Sequence, residues 1–166
     1  MKAIDLTHII TEDMPVYPGT EPPKLTPANS YEKDGFKETL LSLYTHTGTH
    51  IDPPAHIFPD GRTLDEFPPE QFIGKGLVID CRGIKAGGAI TLSHIERYGE
   101  KAGKADFLLF NLGWDRLWGT EAYFGDYPCL DDAALGLIIG GGYKGIGFDV
   151  IGLDPISDVN LTRHRR

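Results

Sequence analysis

The sequence predicts an α/β fold: a parallel or mixed sheet joined by crossover helices, preceded by a proline-rich part with additional strands. Two observations carry this. From residue 75 onward strand-like and helix-like stretches alternate, KGLVIDCR, TLSHIERYGEKAG, ADFLLFNLG, DDAALGLIIGGG and GIGFDVIG in order, and such alternation implies parallel pairing through right-handed crossovers. Before residue 70 the text is irregular, with Pro15, Pro18, Pro22, Pro23 and Pro27 removing donors and fixing φ. A length of 166 residues suits a single domain over 1–166.

Taken in order, MPVYPGTEPPKLTP reads as a long surface loop. KETLLSLYTHTG alternates weakly and carries Thr, Leu and Tyr, so it reads as a strand, and a histidine cluster begins where that strand ends. KGLVIDCR reads as a buried strand, and TLSHIERYGEKAG as a helix with capping-box spacing at Ser93 and Glu96. ADFLLFNLG is the next strand, DDAALGLIIGGG a helix after Asp131 and Asp132, and GIGFDVIG the last strand. Gly140, Gly142 and Gly145 spell GxGxxG, but here the motif closes a helix and precedes a strand, the reverse of a dinucleotide site. It reads as helix termination. No repeat of solenoid period is visible.

Charge and composition exclude several classes. A net charge of −8 and a pI near 5.1 argue against nucleic acid or an anionic membrane as partner, since both need clustered Lys and Arg. The basic run Arg163, His164, Arg165, Arg166 is too short to reverse this. No apolar run reaches the roughly 18 residues of a spanning helix, and MKAIDLTHII does not resemble a cleavable leader, so the expected compartment is the cytoplasm. Cys81 and Cys129 stand far apart, without CxxC spacing, and read as buried free thiols.

The stretch HTGTHIDPPAH, residues 46 to 56, concentrates the chemistry. His46, His50, Asp52 and His56 are all even-numbered, so an extended segment would project them to one side. Gly48 permits unusual φ or close approach, and Pro53 and Pro54 stiffen the loop. Two imidazoles and a carboxylate suit Zn²⁺ first, or Mn²⁺ or a similar borderline ion, and three protein ligands leave a position open. A divalent ion lowers the pKa of coordinated water from about 16 to about 7 and polarises carbonyls, which points to hydrolysis of an amide, ester or lactam. His56, just beyond the ligand set, titrates where a proton shuttle must and is the expected general acid and base. Structural zinc is disfavoured because such sites are closed by four ligands and rich in Cys.

HTGTHIDPPAHIFPDGRTLDEFP resembles the HxGTHxDxPxH core motif of the cyclase-like metal-dependent hydrolase family, whose members include kynurenine formamidases and isatin hydrolases. The likeness extends to IDLTHIITEDMPVYPG, LLFNLGWDRLWGTEAYFGDYPCLDDAA and GIGFDVIGLDPISD, nearly the whole chain. The resemblance implies a swivelling β/α/β fold, His46, His50 and Asp52 as metal ligands, and His56 as the proton-transfer residue. It places Tyr17 where formamidases carry an aromatic substrate contact, usually tryptophan. It implies one or two ions, with Asp52 able to bridge them, and puts His164 in register with a histidine that serves the second metal, although the family's downstream glutamate has no counterpart here, which suggests a fragment. It also implies a homodimer or higher homo-oligomer and a small-molecule substrate.

Without that resemblance Tyr17 reads as a loop anchor, and His164 as a solvated tail residue. Trp114, Trp118, Tyr123 and Phe124 read as core or interface rather than pocket lining. Asp149, Asp154 and Asp158, after the last strand, read as loop-satisfying carboxylates. The leading function is cleavage of a C–N bond in a small molecule. The alternatives are a non-catalytic metal or metabolite binding module and a polyketide-type cyclase.

Overall fold

The computed structural model describes residues 2–166. The chain divides into two compact units, Met1–Asp52 and Pro53–Arg166.

The first unit is built on an antiparallel pair, β1 (Lys24–Asn29) and β2 (Glu38–Ser42), joined through a one-turn helix, α1 (Tyr31–Asp34). The expected surface loop is therefore corrected: its last part, from Lys24, is a strand that contains Pro27. Proline is tolerated there because the two-stranded sheet has only edges, and the register slips between Pro27 and Asn29, where the missing N–H interrupts the ladder. Leu40 and Leu41 point to opposite faces of β2 and are 62% and 56% exposed, so this ribbon has little core of its own.

The second unit has the expected alternation. In chain order it contains β3 (Gly76–Asp80), β4 (Ala89–Ile90), α2 (Leu92–Glu96), α3 (Glu100–Gly103), β5 (Phe107–Asn111), β6 (Cys129–Leu130), α4 (Asp132–Gly140) and β7 (Gly145–Phe148). Strands β3, β5 and β7 form a parallel sheet with β5 at its centre. In register, Leu77, Leu108 and Ile146 form one row and Ile79, Phe110 and Phe148 the next. This face packs against Ile95 and Ala102 of α2 and α3 and against Ala134, Leu135 and Ile138 of α4. Phe110 stacks on Phe148 at 5.0 Å between ring centroids. Val78 lies on the opposite face and is 51% exposed, so β3 is not the doubly buried strand its apolar run suggested.

The single helix expected over TLSHIERYGEKAG is two short helices, broken at Gly99, where φ is +50°. Its N-cap is Thr91 rather than Ser93: the Thr91 backbone N–H donates to His94 Nδ1 at 3.0 Å. Helix α4 is capped by Asp131, which accepts the Ala134 N–H at 2.7 Å. Strands β4 and β6 pair in parallel immediately before these two caps, so α2 and α4 leave one small sheet in matching fashion. The GxGxxG glycines do close α4 and open β7. Cys81 and Cys129 are buried and unpaired, as expected. Among the described residues no helix is long and apolar enough to cross a membrane.

Candidate metal centre

After β2 the chain turns through a series of bends rather than continuing extended, which corrects the route by which the histidines converge. Buried Thr47 donates its hydroxyl to the Tyr44 carbonyl at 2.7 Å. Gly48 then takes φ +62°, with Met14 and Ile10 packed where a side chain would begin. That reversal lets the Gly48 carbonyl accept from His50 Nδ1 at 2.8 Å. Because a carbonyl only accepts, Nδ1 carries the proton and Nε2 keeps the lone pair with which a ligand could bind an ion.

His50 Nε2 lies 3.2 Å from Asp52 Oδ1 and 3.2 Å from His46 Nδ1, and His46 Nδ1 lies 2.6 Å from the same carboxylate oxygen. Three ligand atoms thus converge on one point. Tetrahedral ligands at zinc distances stand about 3.3 Å apart, so two of the three separations already match a zinc shell. The electrostatics agree. Hydrogen bonding to Asp52 raises the His50 pKa above its ordinary value, against the opposing effect of burial and with help from the Gly48 carbonyl. The point of convergence therefore favours positive charge, and a divalent cation satisfies all three donors at once. The three side chains are about one-third exposed, which leaves an approach for a further ligand.

His56 ends a single 3₁₀ turn, Pro54–His56, in the second unit. The Ile57 and Phe58 N–H groups both donate to the Pro54 carbonyl, and the Ala55 N–H donates to that of Arg62. Arg62 lies over the Phe67 ring at 3.9 Å, and the Thr63 N–H donates to Glu66 Oε2 at 2.8 Å. The loop carrying His56 is thereby closed on itself. Its ring meets that of His164 edge-on at 6.2 Å between centroids.

His164 is not the solvated tail residue that its sequence position suggests when read alone. Its Nδ1 lies 2.6 Å from Oδ2 of Asp154, whose carboxylate is buried. Burial pushes the Asp154 pKa up, but the bonds from His164 and the Arg163 and His164 N–H groups outweigh it, and the carboxyl stays below its ordinary value. Asp154 is a residue whose partnership the sequence did not reveal. Tyr17 lies in the first unit, partly exposed, with its carbonyl accepting from Thr20 across a turn.

The other sequence candidates are structural. Asp149 accepts the Leu112 and Trp114 N–H groups at 2.9 Å each, and Asp158 accepts those of Asn160 and Thr162. Trp114 donates Nε1–H to the Tyr123 carbonyl, and Tyr123 is buried with its ring against Trp118 and Phe124.

A family model described as "Putative cyclase" matches residues 4–155. The chain belongs to this cyclase family. Kynurenine formamidase of Geobacillus thermodenitrificans is 28% identical over 163 residues, spanning 97% of this chain and 74% of that protein. Isatin hydrolase A of Labrenzia aggregata, in complex with benzyl benzoate, superposes with a TM-score of 0.79 at 24% identity, covering 97% of this chain and 76% of that one, a likeness of fold. A potential metal-dependent hydrolase with cyclase activity matches with a TM-score of 0.69 at 25% identity, over 96% and 73% of the two chains. The cyclase-family chain thus spans about three-quarters of these relatives.

Proposed function

We propose that this cyclase-family chain is a metal-dependent hydrolase that opens a C–N bond in a small amide, formamide or lactam. The observation that carries the reading is the convergence of His46 Nδ1 and His50 Nε2 on Asp52 Oδ1. The name of the formamidase relative supports the bond type.

His46, His50 and Asp52 would hold the ion, Zn²⁺ or, failing that, Mn²⁺. A divalent ion in such a site supplies Lewis-acid polarisation of a carbonyl and activation of water. The chain's own part is orientation and proton movement. The Gly48 carbonyl fixes the His50 tautomer, Asp52 supplies the negative charge, and His56, held on its rigid turn, moves a proton to the leaving nitrogen. Tyr17 is assigned the aromatic substrate contact, and the exposed Leu40 and Leu41 support burial of the first unit in a homo-oligomer.

Elemental analysis of the parent and of His50→Ala and Asp52→Ala variants, followed by turnover of formamides, lactams and isatin-like compounds, tests the reading. The parent should carry metal, the variants almost none, and His56→Ala should keep its metal while losing about 100- to 10,000-fold in rate. A parent that binds metal yet turns over none of these compounds is a binding module instead. A His56→Ala protein as fast as the parent removes that histidine from the mechanism.

A further inference from the structure

Two threonines stand between His46 and His50, and their hydroxyls bond in opposite directions. Thr47 is buried and donates inward, to the Tyr44 carbonyl at 2.7 Å. Thr49 is exposed and accepts outward: the His8 N–H, 41 residues away in sequence, donates to its Oγ1 at 3.3 Å.

The segment that reaches Thr49 is irregular. Among the described residues no backbone-to-backbone hydrogen bond joins residues 2–10 to the rest of the chain. His8 is half-buried, while every other residue from 2 to 10 is exposed. Asp5 Oδ1 stiffens the approach by accepting the Thr7 N–H at 2.9 Å and the Thr7 hydroxyl at 2.7 Å. Beyond His8 the chain follows the back of the ligand loop. Ile10 and Met14 stand where a Gly48 side chain would begin, Met14 is buried, and Glu12 accepts the Leu25 N–H of β1 at 2.9 Å. Residues 5–14 thus lean on the loop at Gly48 and Thr49, the two residues immediately before His50.

Exposed chain without a hydrogen-bonded ladder opens at low cost, so such a segment stays docked only while its few anchors are in place. Thr49 anchors it from a position between two imidazoles of the candidate centre. A cation that fixes those imidazoles also restricts the loop, and the Thr49 oxygen is then held where the His8 N–H needs it. The ordering cost is shared between the two events. Linkage makes the effect reciprocal: docking strengthens cation binding by the same factor by which the cation strengthens docking.

We propose that Thr49 is a positioning residue whose hydroxyl docks residues 5–14 on the ligand loop and couples that docking to cation binding. The coupling rests on the metal-dependent reading above, and the docking does not.

The test pairs hydrogen exchange of the His8 amide, followed by NMR, with zinc affinity measured against a competing chelator. In the parent, saturating zinc should slow that amide about 3- to 10-fold, the range that one net hydrogen bond spans. Thr49→Val keeps the shape and removes the acceptor. Its His8 amide should exchange fast with or without zinc, and its zinc affinity should fall by the factor seen in the parent exchange. Thr49→Ser, which keeps a hydroxyl, should restore both readouts. The donor can also be removed from the other side: His8→Pro deletes the N–H and the imidazole, and His8→Ala deletes the imidazole alone. Zinc affinity should therefore differ between those two by the same factor. Combined with Thr49→Val, His8→Pro should cost nothing beyond its difference from His8→Ala already lost. A parent His8 amide that ignores zinc, a Thr49→Val protein that binds zinc as tightly as the parent, or a Thr49→Ser protein that behaves like Thr49→Val overturns the coupling. Should Thr49→Val not fold, the His8→Pro and His8→Ala pair decides. If the parent binds no zinc at all, the metal-dependent reading falls with the coupling, and exchange in the metal-free proteins decides the docking. A His8 amide as fast in the parent as in Thr49→Val then overturns that as well.

Discussion

His46 Nδ1 stands 2.6 Å from Asp52 Oδ1, and that same oxygen is the one His50 Nε2 approaches at 3.2 Å. One carboxylate oxygen thus serves two imidazoles, which makes Asp52 the residue whose loss the site tolerates least.

Asp52→Asn keeps the shape of the side chain and removes its charge. The candidate cation site then loses the carboxylate of its three ligands, and zinc affinity should fall by more than about 100-fold, beyond what the loss of an outer partner costs. Competition against a chelator of known affinity measures this. Affinity within a few-fold of the parent would mean that the ion is not held by this cluster.

Gly48 connects backbone conformation to the same cluster. Its φ of +62° is strained for any residue with a Cβ, and an added Cβ would sit 3.1 Å from the Met14 Cε. Gly48→Ala should lower stability by about 1–2 kcal/mol in urea. It should also weaken zinc binding, because the displaced carbonyl is the one that orients His50. A variant with unchanged urea midpoint and unchanged zinc affinity would contradict this account.

The parallel sheet was legible because its strands are short apolar runs separated by helical stretches, and β5 and β7 fall inside the runs that sequence marked. The ribbon at Lys24–Asn29 was not, because proline chemistry argues for a loop and only pairing with β2 makes a strand there. The helix break at Gly99 was hidden by an apolar period that continues across it. At the candidate site, the identity of His46, His50 and Asp52 was visible from residue type and spacing. Their route to one point was not, since it depends on a bend at Gly48 rather than on the parity of their numbers. The Asp154–His164 pair spans ten residues of irregular chain, with no periodicity to announce it.

The two thiols offer a check on the core. Burial pushes the Cys81 pKa up to about 11, and burial also raises that of Cys129. The native protein should therefore react negligibly with a thiol reagent in mildly alkaline buffer, while the urea-unfolded chain yields two equivalents. The sign for stability follows: the folded state prefers the protonated Cys81 thiol, so its contribution is complete below the ordinary thiol value of 9.0 and is lost as pH rises towards about 11. Rapid labelling of the native protein would show that the core around Cys81, just after β3, or Cys129, in β6, opens far more easily than its packing indicates.

Gly61 tests whether the His56 loop is as closely closed as its bonds suggest. A Cβ there would lie 2.5 Å from the Pro54 carbonyl carbon and 2.6 Å from the Ala55 nitrogen, both backbone atoms of the turn that carries His56. No side-chain rotation relieves such a clash, so Gly61→Ala must displace the turn or strain it, at about 1–3 kcal/mol. Gly136, inside α4, is the control, because a Cβ there meets nothing within 4 Å. Gly136→Ala should raise stability by about 0.5–1 kcal/mol through helix propensity. Turnover should separate the two further. Gly136→Ala leaves it unchanged, whereas Gly61→Ala lowers it even where the sheet's circular dichroism is intact, since the displaced group is the histidine proposed to move the proton. Equal stability and equal turnover for the two variants would show that the loop yields at that point and that His56 is not held by it.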